Sequence, residues 1–360
     1  MKKYGILVVD DSAFMRRAIC QILENDPLFT VVGIARNGLD AIEKVERLQP
    51  DLVTMDIEMP EMNGLAALDH IMKTFPTPIV MLSSFTKEGA KETVKALELG
   101  AVDFFLKDSL IKNQAENSQI NEFLNRLKEI IEAKLPKVSY EKRVIETKTS
   151  TIFDSNQLQI QRASKNKRLA FDLVFIGCST GGPSALKAIL PYFPKDFPVP
   201  IVVAQHMPIG FTKPLADRFD SICELHVKEA QNGETILPGN IYIAPSGYQT
   251  QFEKKLDGTV QFIVNHQEDA KKTMFKPSIN ISLTSAAPIF AERLLVIILT
   301  GMGVDGMEGC GQVKKHRGTV FVEAEESCVV YGMPKAVLEA GFADGQFLLS
   351  KMFQQIMAVI

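Results

Sequence analysis

Residues 176–183 read IGCSTGGP, with Ser179 at the centre. The stretch follows LAFDLVF, an apolar run that reads as a buried strand. It precedes SALKAILPYF, whose Ala185, Leu186, Ile189 and Leu190 recur at helical spacing. Ser179 is therefore expected on a strand-to-helix turn. Gly177, Gly181 and Gly182 allow a sharp turn and let a reacting carbonyl come close without meeting a β-carbon. The pattern fits G-x-S-x-G, a serine nucleophile at the top of a sheet. Glycine-rich turns also cradle phosphates, but that reading fails on spacing. A Walker A loop needs Lys and then Ser or Thr after its last glycine, whereas Pro183 and Ser184 follow Gly182; the segment also lacks G-x-G-x-x-G.

Outward from this turn, strands and helices alternate in both directions. After Arg168, the segments LVFIG, PIVVAQ, ELHV, NIYIAP, VQFIV, LLVIILT and GTVFVEA read as strands, with helices after Gly182, Phe211, Lys276, Asp305 and Met333. Towards the N-terminus, GILVV, FTVVGIA, DLVTMD, PIVMLS and AVDFFLK alternate with helical segments. This order predicts an α/β protein of two doubly wound parallel-sheet domains, a flavodoxin-like one over residues 1–125 and a Rossmann-like one over 169–360. Residues 126–168 lie between them. An amphipathic helix over 116–135, with Phe123, Leu127, Ile130 and Ile131 on one face, is expected to close the first domain. Residues 136–168, rich in Lys, Ser, Thr, Gln and Asn, read as a flexible linker.

At 360 residues the chain is long enough for two cores. A hydrophobic fraction of 46% with a net charge of -3 gives no footing for nucleic acid or an anionic membrane surface. The most apolar segment, LLVIILTGMGV, is bounded by Glu292, Arg293 and Asp305, too short to span a bilayer and better suited to a core strand; no membrane insertion is expected. The apolar run after Met1 is too short for a signal peptide, and five scattered cysteines without a C-x-x-C pair suit reduced thiols, so a cytoplasmic protein is expected.

Ligands of such sheets sit at the carboxyl ends of strands, which singles out two groups of residues. In the first half these are Asp10, Asp11, Asp56, Ser83, Ser84 and Lys107. Three carboxylates on one rim repel, and a hard cation such as Mg2+ would relieve that while leaving room for a phosphoryl group, whose charge Lys107 could offset. Any one of these acids could instead cap a helix. In the second half the residues are Ser179, His206 in AQHMP and Asp305 in LTGMGVDG. A serine hydroxyl needs a base, neutral histidine is that base, and a carboxylate fixes its tautomer. His206 directly ends a strongly apolar strand, unlike His70, His226, His266 and His316. The adjacent Cys178 is the alternative nucleophile, and Asp305 could equally cap a helix beginning near Gly306.

LVVDDS, TMDIEMPEMNG, VMLSS and FFLK, in that order, resemble the receiver domain of response regulators. The resemblance implies that Asp56 accepts a phosphoryl group from a chemotaxis histidine kinase. It further implies that Asp10, Asp11, Asp56 and the Glu58 carbonyl hold Mg2+, that Ser83 and Lys107 contact the phosphoryl group, and that Phe104 is the switch aromatic. Asp108 stands where such domains usually carry proline. IGCSTGGP, QHMP, YIAP, LTGMGVDG and EESCVVYGMPKAV resemble the catalytic domain of chemotaxis protein-glutamate methylesterases. This implies hydrolysis of γ-glutamyl methyl esters on chemoreceptor cytoplasmic helices, with release of methanol and deamidation in some relatives. Ser179 would attack, His206 would shuttle the proton, Asp305 would orient His206, and backbone amides at Met302 and Thr180 would hold the oxyanion; the hydrolysis itself needs no cofactor. KPSINIS and SGYQTQFE depart from the family pattern, pointing to differences in receptor contacts. A non-enzymatic response regulator and an esterase for another acyl group are the rival readings.

Overall fold

The apolar runs form two parallel sheets in the computed structural model, which describes residues 3–111, 117–133, 171–265 and 275–360. The first sheet contains β1 (Tyr4–Val9), β2 (Phe29–Ala35), β3 (Leu52–Asp56), β4 (Ile79–Ser83) and β5 (Asp103–Leu106), in the order β2-β1-β3-β4-β5. Helices α1 (Ala13–Glu24), α2 (Gly38–Leu48), α3 (Gly64–Thr74) and α4 (Lys87–Leu99) connect the strands. Each begins at a residue whose side-chain oxygen accepts a first-turn N–H, namely Ser12, Asn37, Asn63 and Thr86. Strands β1, β3 and β4 are buried along their length, which is why they read as continuous apolar runs rather than alternating ones.

Helix α5 (Lys107–Ile111) follows β5 directly, and α6 (Asn117–Glu132) closes the domain. Its Phe123, Leu127 and Ile130 are fully buried, with Phe123 edge-on to Phe105 at 4.8 Å. The helix runs through residue 125, so that boundary cuts an element that packs with the first domain. Among the described residues the one cis peptide is Lys276–Pro277; Lys107–Asp108 is trans. The linker expected over residues 136–168 lies outside the described residues.

The second domain runs β6 (Leu173–Cys178), α7 (Gly182–Lys187), β7 (Ile201–Gln205), α8 (Thr212–Asp220), β8 (His226–Glu229), β9 (Asn240–Ile243), β10 (Gln249–Lys254), β11 (Val260–Asn265), α9 (Ile279–Phe290), β12 (Leu294–Ile298), α10 (Met307–Lys315), β13 (Thr319–Glu323), α11 (Met333–Glu339), β14 (Gly345–Phe347) and α12 (Leu349–Val359). Seven strands pair in parallel in the order β14-β13-β12-β6-β7-β9-β8. VQFIV departs from expectation. It is β11, and it leaves the main sheet to pair antiparallel with β10, a strand unrecognised in SGYQTQFE. Phe252 and Phe262 of this hairpin pack on Phe175, Tyr242 and Phe290, covering one face of the sheet. Strand β14 and helix α12 are further elements the sequence reading did not anticipate.

The domains meet where α4 and β5 of the first contact α7 and α8 of the second. Phe104 of β5 lies against Phe211, the residue before α8, with ring centroids 4.7 Å apart. One apolar cluster runs through both domains, from Val94 and Leu97 to Leu215.

Candidate active site

In the second sheet the order reverses between β6 and β12, so the loops that follow these strands diverge and open a crevice. Ser179 stands there, directly after β6. Its amide donates to Thr300 O (3.0 Å), and its carbonyl accepts from Gly182 N (2.8 Å), which closes the turn. Gly181 takes φ +77°, a left-handed conformation that L side chains disfavour. Gln205, the last residue of β7, locks the turn from the side: its Nε2 donates to Ser179 O (3.0 Å) and to His206 O (2.9 Å), and its Oε1 accepts from Cys178 Sγ (3.0 Å). A β-carbon on Gly182 would lie 1.9 Å from that Oε1, so any larger residue would have to displace the Gln205 side chain.

His206 follows β7, and its Nε2 is 2.8 Å from Asp305 Oδ2. Its ring stacks on Phe275, with centroids 4.1 Å apart and planes 3° off parallel. With the Nε2 proton directed at Asp305, Nδ1 carries the lone pair that accepts a proton. Nδ1 is buried without a hydrogen-bond partner among the described residues, so the serine-histidine bond is not made in this arrangement.

Asp305 accepts at Oδ1 from Ser278 Oγ (3.1 Å), Asn280 N (3.0 Å) and Gly306 N (3.1 Å), and at Oδ2 from Ile279 N (2.8 Å) as well as His206. Burial alone would raise its pKa, but the His206 bond and the Ile279 and Asn280 amides hold it below the usual aspartate value. Asp305 is thus ionised beside the histidine. The helix-capping role considered from sequence is not the one found: the N-cap of α10 is Gly306, without a side-chain cap, and Asn280 Oδ1 takes the Gly306 (2.9 Å) and Gly309 (2.8 Å) amides, while Asp305 serves His206 and the first amides of α9. KPSINIS, read above as a receptor-contact segment, supplies the Asp305 cradle at the start of α9.

Of the two expected oxyanion donors, neither the Thr180 nor the Met302 amide donates to another group among the described residues. The remaining candidates fall away. Burial pushes the Cys178 thiol pKa far up, which removes its thiolate. His226 is exposed and pairs with Asp220, His70 is exposed, and His316 caps α10, while His266 lies outside the described residues.

The first domain assembles its strand-end residues at the β1/β3 reversal. Oxygens of Asp10, Asp11 and Asp56 lie within 4.8 Å of one another. Lys107 Nζ bridges Asp10 (2.9 Å) and Asp56 (2.7 Å). Burial raises the Asp56 pKa to about 6 despite that lysine, with Asp10 adding to the rise. An all-oxygen set carrying more negative charge than one lysine offsets fits a hard divalent cation. A cavity of about 190 Å³ over Asp56 is lined by Asp11, Glu58, Ser83, Ser84 and Lys107. Ser83 Oγ accepts from Thr93 Oγ1 (2.8 Å), so its hydroxyl is already engaged beside that cavity.

A contact between the domains reaches the nucleophile turn itself. Asp103 of β5, 7% exposed, accepts at Oδ2 from Thr180 Oγ1 (2.8 Å) and from Arg126 Nη1 of α6 (3.2 Å). Neither Asp103 nor Arg126 was singled out from sequence, because nothing local distinguishes them from residues of an ordinary strand and helix. Ser179 is 4% and Thr180 2% exposed beneath this contact. A cavity of about 530 Å³ between the domains has Asp103, Phe104, Arg126, His206, Ile209 and Phe275 in its wall.

Residues 6–116 match the response regulator receiver domain, and residues 174–356 match CheB methylesterase. A protein-glutamate methylesterase/protein-glutamine glutaminase of Thermotoga maritima is 43% identical over 339 residues, covering 94% of this chain and 93% of the relative. A protein of the same description from Halalkalibacterium halodurans is 42% identical, with 94% and 93% covered. The crystal structure of the Thermotoga maritima CheB methylesterase catalytic domain superposes with a TM-score of 0.51 at 43% identity, covering 53% of this chain and all of that one. With a receiver domain joined to a serine-bearing α/β domain, and relatives of this identity along nearly its full length, the chain belongs to the CheB methylesterase family.

Proposed function

We propose that this chain is a phosphorylation-regulated protein-glutamate methylesterase that hydrolyses glutamate γ-methyl esters on the cytoplasmic helices of chemoreceptors and deamidates receptor glutamines. The observation that carries this reading is Ser179 and the His206–Asp305 pair (2.8 Å) at adjoining strand ends beside two uncommitted amides. Ser179 Oγ adds to the ester carbonyl while His206 Nδ1 takes its proton, and Asp305 stabilises the imidazolium that forms. The Thr180 and Met302 amides receive the oxyanion; one such donor is worth about 3 to 4 kcal/mol in the transition state. The carbonyl re-forms as the C–O bond breaks, and His206 returns its proton to the departing methoxide, releasing methanol. Water then attacks the acyl-serine with His206 again as base, freeing the glutamate carboxylate and Ser179. For glutamine the leaving group is ammonia by the same steps.

In the docked arrangement this chemistry is shut off. Ser179 is buried, His206 Nδ1 is unpaired, and the first domain holds the turn through Asp103. Ser184 Oγ and Lys187 Nζ cap the last carbonyls of α4 at Leu97 (2.9 Å) and Glu98 (3.2 Å), and Arg218 pairs with Glu98 (2.7 Å). Asp56 is the phosphoacceptor, supplied by a chemotaxis histidine kinase. Asp10, Asp11, Asp56 and the Glu58 carbonyl would hold Mg2+, which would supply positive charge to offset that of the phosphoryl group. Lys107 and Ser83 exchange their present partners for the new phosphoryl oxygens, and Phe104, packed on Phe211, passes the change to the interface. Among the described residues no helix is long and apolar enough to cross a membrane, and the protein is read as cytoplasmic. The test is methanol release from methylated receptor membranes, with wild type and Ser179→Ala compared with and without a small phosphodonor. Wild type is expected to release methanol, more so with the donor, and Ser179→Ala none; serine-independent release would overturn the reading.

A further inference from the structure

Glu323 ends β13, beside β12, and is fully buried. Its Oε2 accepts from the Thr300 amide at 2.8 Å, while Oε1 has no hydrogen-bond partner among the described residues. Among the described residues no lysine, arginine or histidine pairs with it. Burial raises its pKa to about 7, and the titratable groups facing it are the Cys178 thiol from β6 and the Cys328 thiol beyond β13, both themselves pushed upwards and neutral. A buried carboxyl without a cation costs stability, so its place in the fold calls for a use.

That use lies one residue away. Thr300 accepts the Ser179 amide at its carbonyl (3.0 Å). Its hydroxyl donates to Thr180 O (3.0 Å) and accepts from Val330 N (3.0 Å). Gly301 and Met302 follow it directly. Thr300 therefore ties the nucleophile turn to the segment bearing the second oxyanion donor, and Glu323 is the side chain that fixes the Thr300 amide. We infer that Glu323 is a positioning residue for the hydrolysis, setting the register of Ser179 and Thr180 against Met302 through Thr300. The inference rests on Ser179 being the nucleophile.

The test uses the full-length protein with Glu323→Gln, which keeps the acceptor, Glu323→Met, which keeps the volume without it, and Thr300→Val, which removes the hydroxyl link. Methanol release yields kcat and KM, and the rate of Ser179 labelling by a fluorophosphonate reports the nucleophile without the receptor. Glu323→Met is expected to lose about 10- to 100-fold in kcat and in labelling rate with KM little changed, as misplacement near 1 Å does. Thr300→Val is expected to follow it, and Glu323→Gln to stay close to wild type. Wild-type kcat in Glu323→Met, or an equal loss in Glu323→Gln, would overturn the inference. All variants are assayed with the small phosphodonor present, which opens the docked arrangement; if even wild type then failed to label at Ser179, the nucleophile assignment itself would fall and this inference with it, a result plainly distinct from equal labelling of all variants.

Discussion

Replacing Asp103 with alanine should switch the enzyme on without phosphorylation. In the docked arrangement Asp103 Oδ2 accepts from Thr180 Oγ1 at 2.8 Å, with both residues at least nine-tenths buried. When the domains separate, each group finds water instead. A hydrogen bond to a charged partner is worth about 1.5 to 3 kcal/mol net, so its loss shifts the docked-to-open ratio by about 10- to 100-fold. Arg126 loses one partner but keeps Glu122 (2.7 Å), so the closing helix stays anchored. Basal methanol release from methylated receptor membranes should therefore rise about tenfold or more, up to the ceiling set by a fully open population. Stimulation by a small phosphodonor should shrink by the same factor, because the donor can only bias an equilibrium still in play. Arg218→Ala provides the contrast: its pair with Glu98 is half-exposed on the arginine side, so an effect below about 1 kcal/mol and below about fivefold is expected. Raising salt should mimic Arg218→Ala but not Asp103→Ala, since buried pairs are screened less. If Asp103→Ala still accepted phosphate at Asp56 yet kept wild-type basal activity, the occlusion reasoning would be refuted.

Two further perturbations follow from the geometry. Asp56 has a pKa of about 6 against 3.8 in an unfolded chain, so the folded state binds the extra proton and holding the carboxylate ionised costs stability above pH 6. Without Mg2+, Asp56→Asn should melt higher than wild type at neutral pH, the difference fading as pH falls through 6 towards 4; a constant difference in pH-dependent melting would contradict the assignment. Gly182→Ala places a β-carbon 1.9 Å from Gln205 Oε1 and should expel the side chain that holds the Ser179 and His206 carbonyls, lowering kcat about 100-fold and stability by about 1 to 3 kcal/mol. Kinetics together with a melting curve check both effects, and unchanged kinetics would show that the turn tolerates the methyl group.

The strand-end residues were legible because buried parallel strands write themselves as apolar runs, and the residue after each run is placed by the fold without further information. Asp10, Lys107, Ser179 and His206 follow such runs directly, and Asp56 is the last residue of one. Asp305 lies several residues beyond β12, and its pairing with His206 depends on a loop path that periodicity does not encode. Gln205, Phe275 and Ser278 were missed because a strand-terminal glutamine, a phenylalanine and a serine are ordinary where they stand; they matter through contacts across the sheet. β10 and β14 were missed because QTQFEK and GQF lack the apolar density of a doubly covered strand. VQFIV was assigned to the wrong sheet because its apolar face is real, and only pairing decides which sheet a strand joins.

By itself the sequence determined two parallel α/β sheets, the two strand-end constellations and the chemistry each could perform, because those depend on short-range pattern and side-chain type. Only the tertiary structure decided that Thr180 meets Asp103, that Phe104 meets Phe211 and that Glu323 sits beneath Thr300. Each of these pairs joins positions set by strand order and domain docking, and their hydrogen-bond and packing energies exist only once the chain has closed the distance between them.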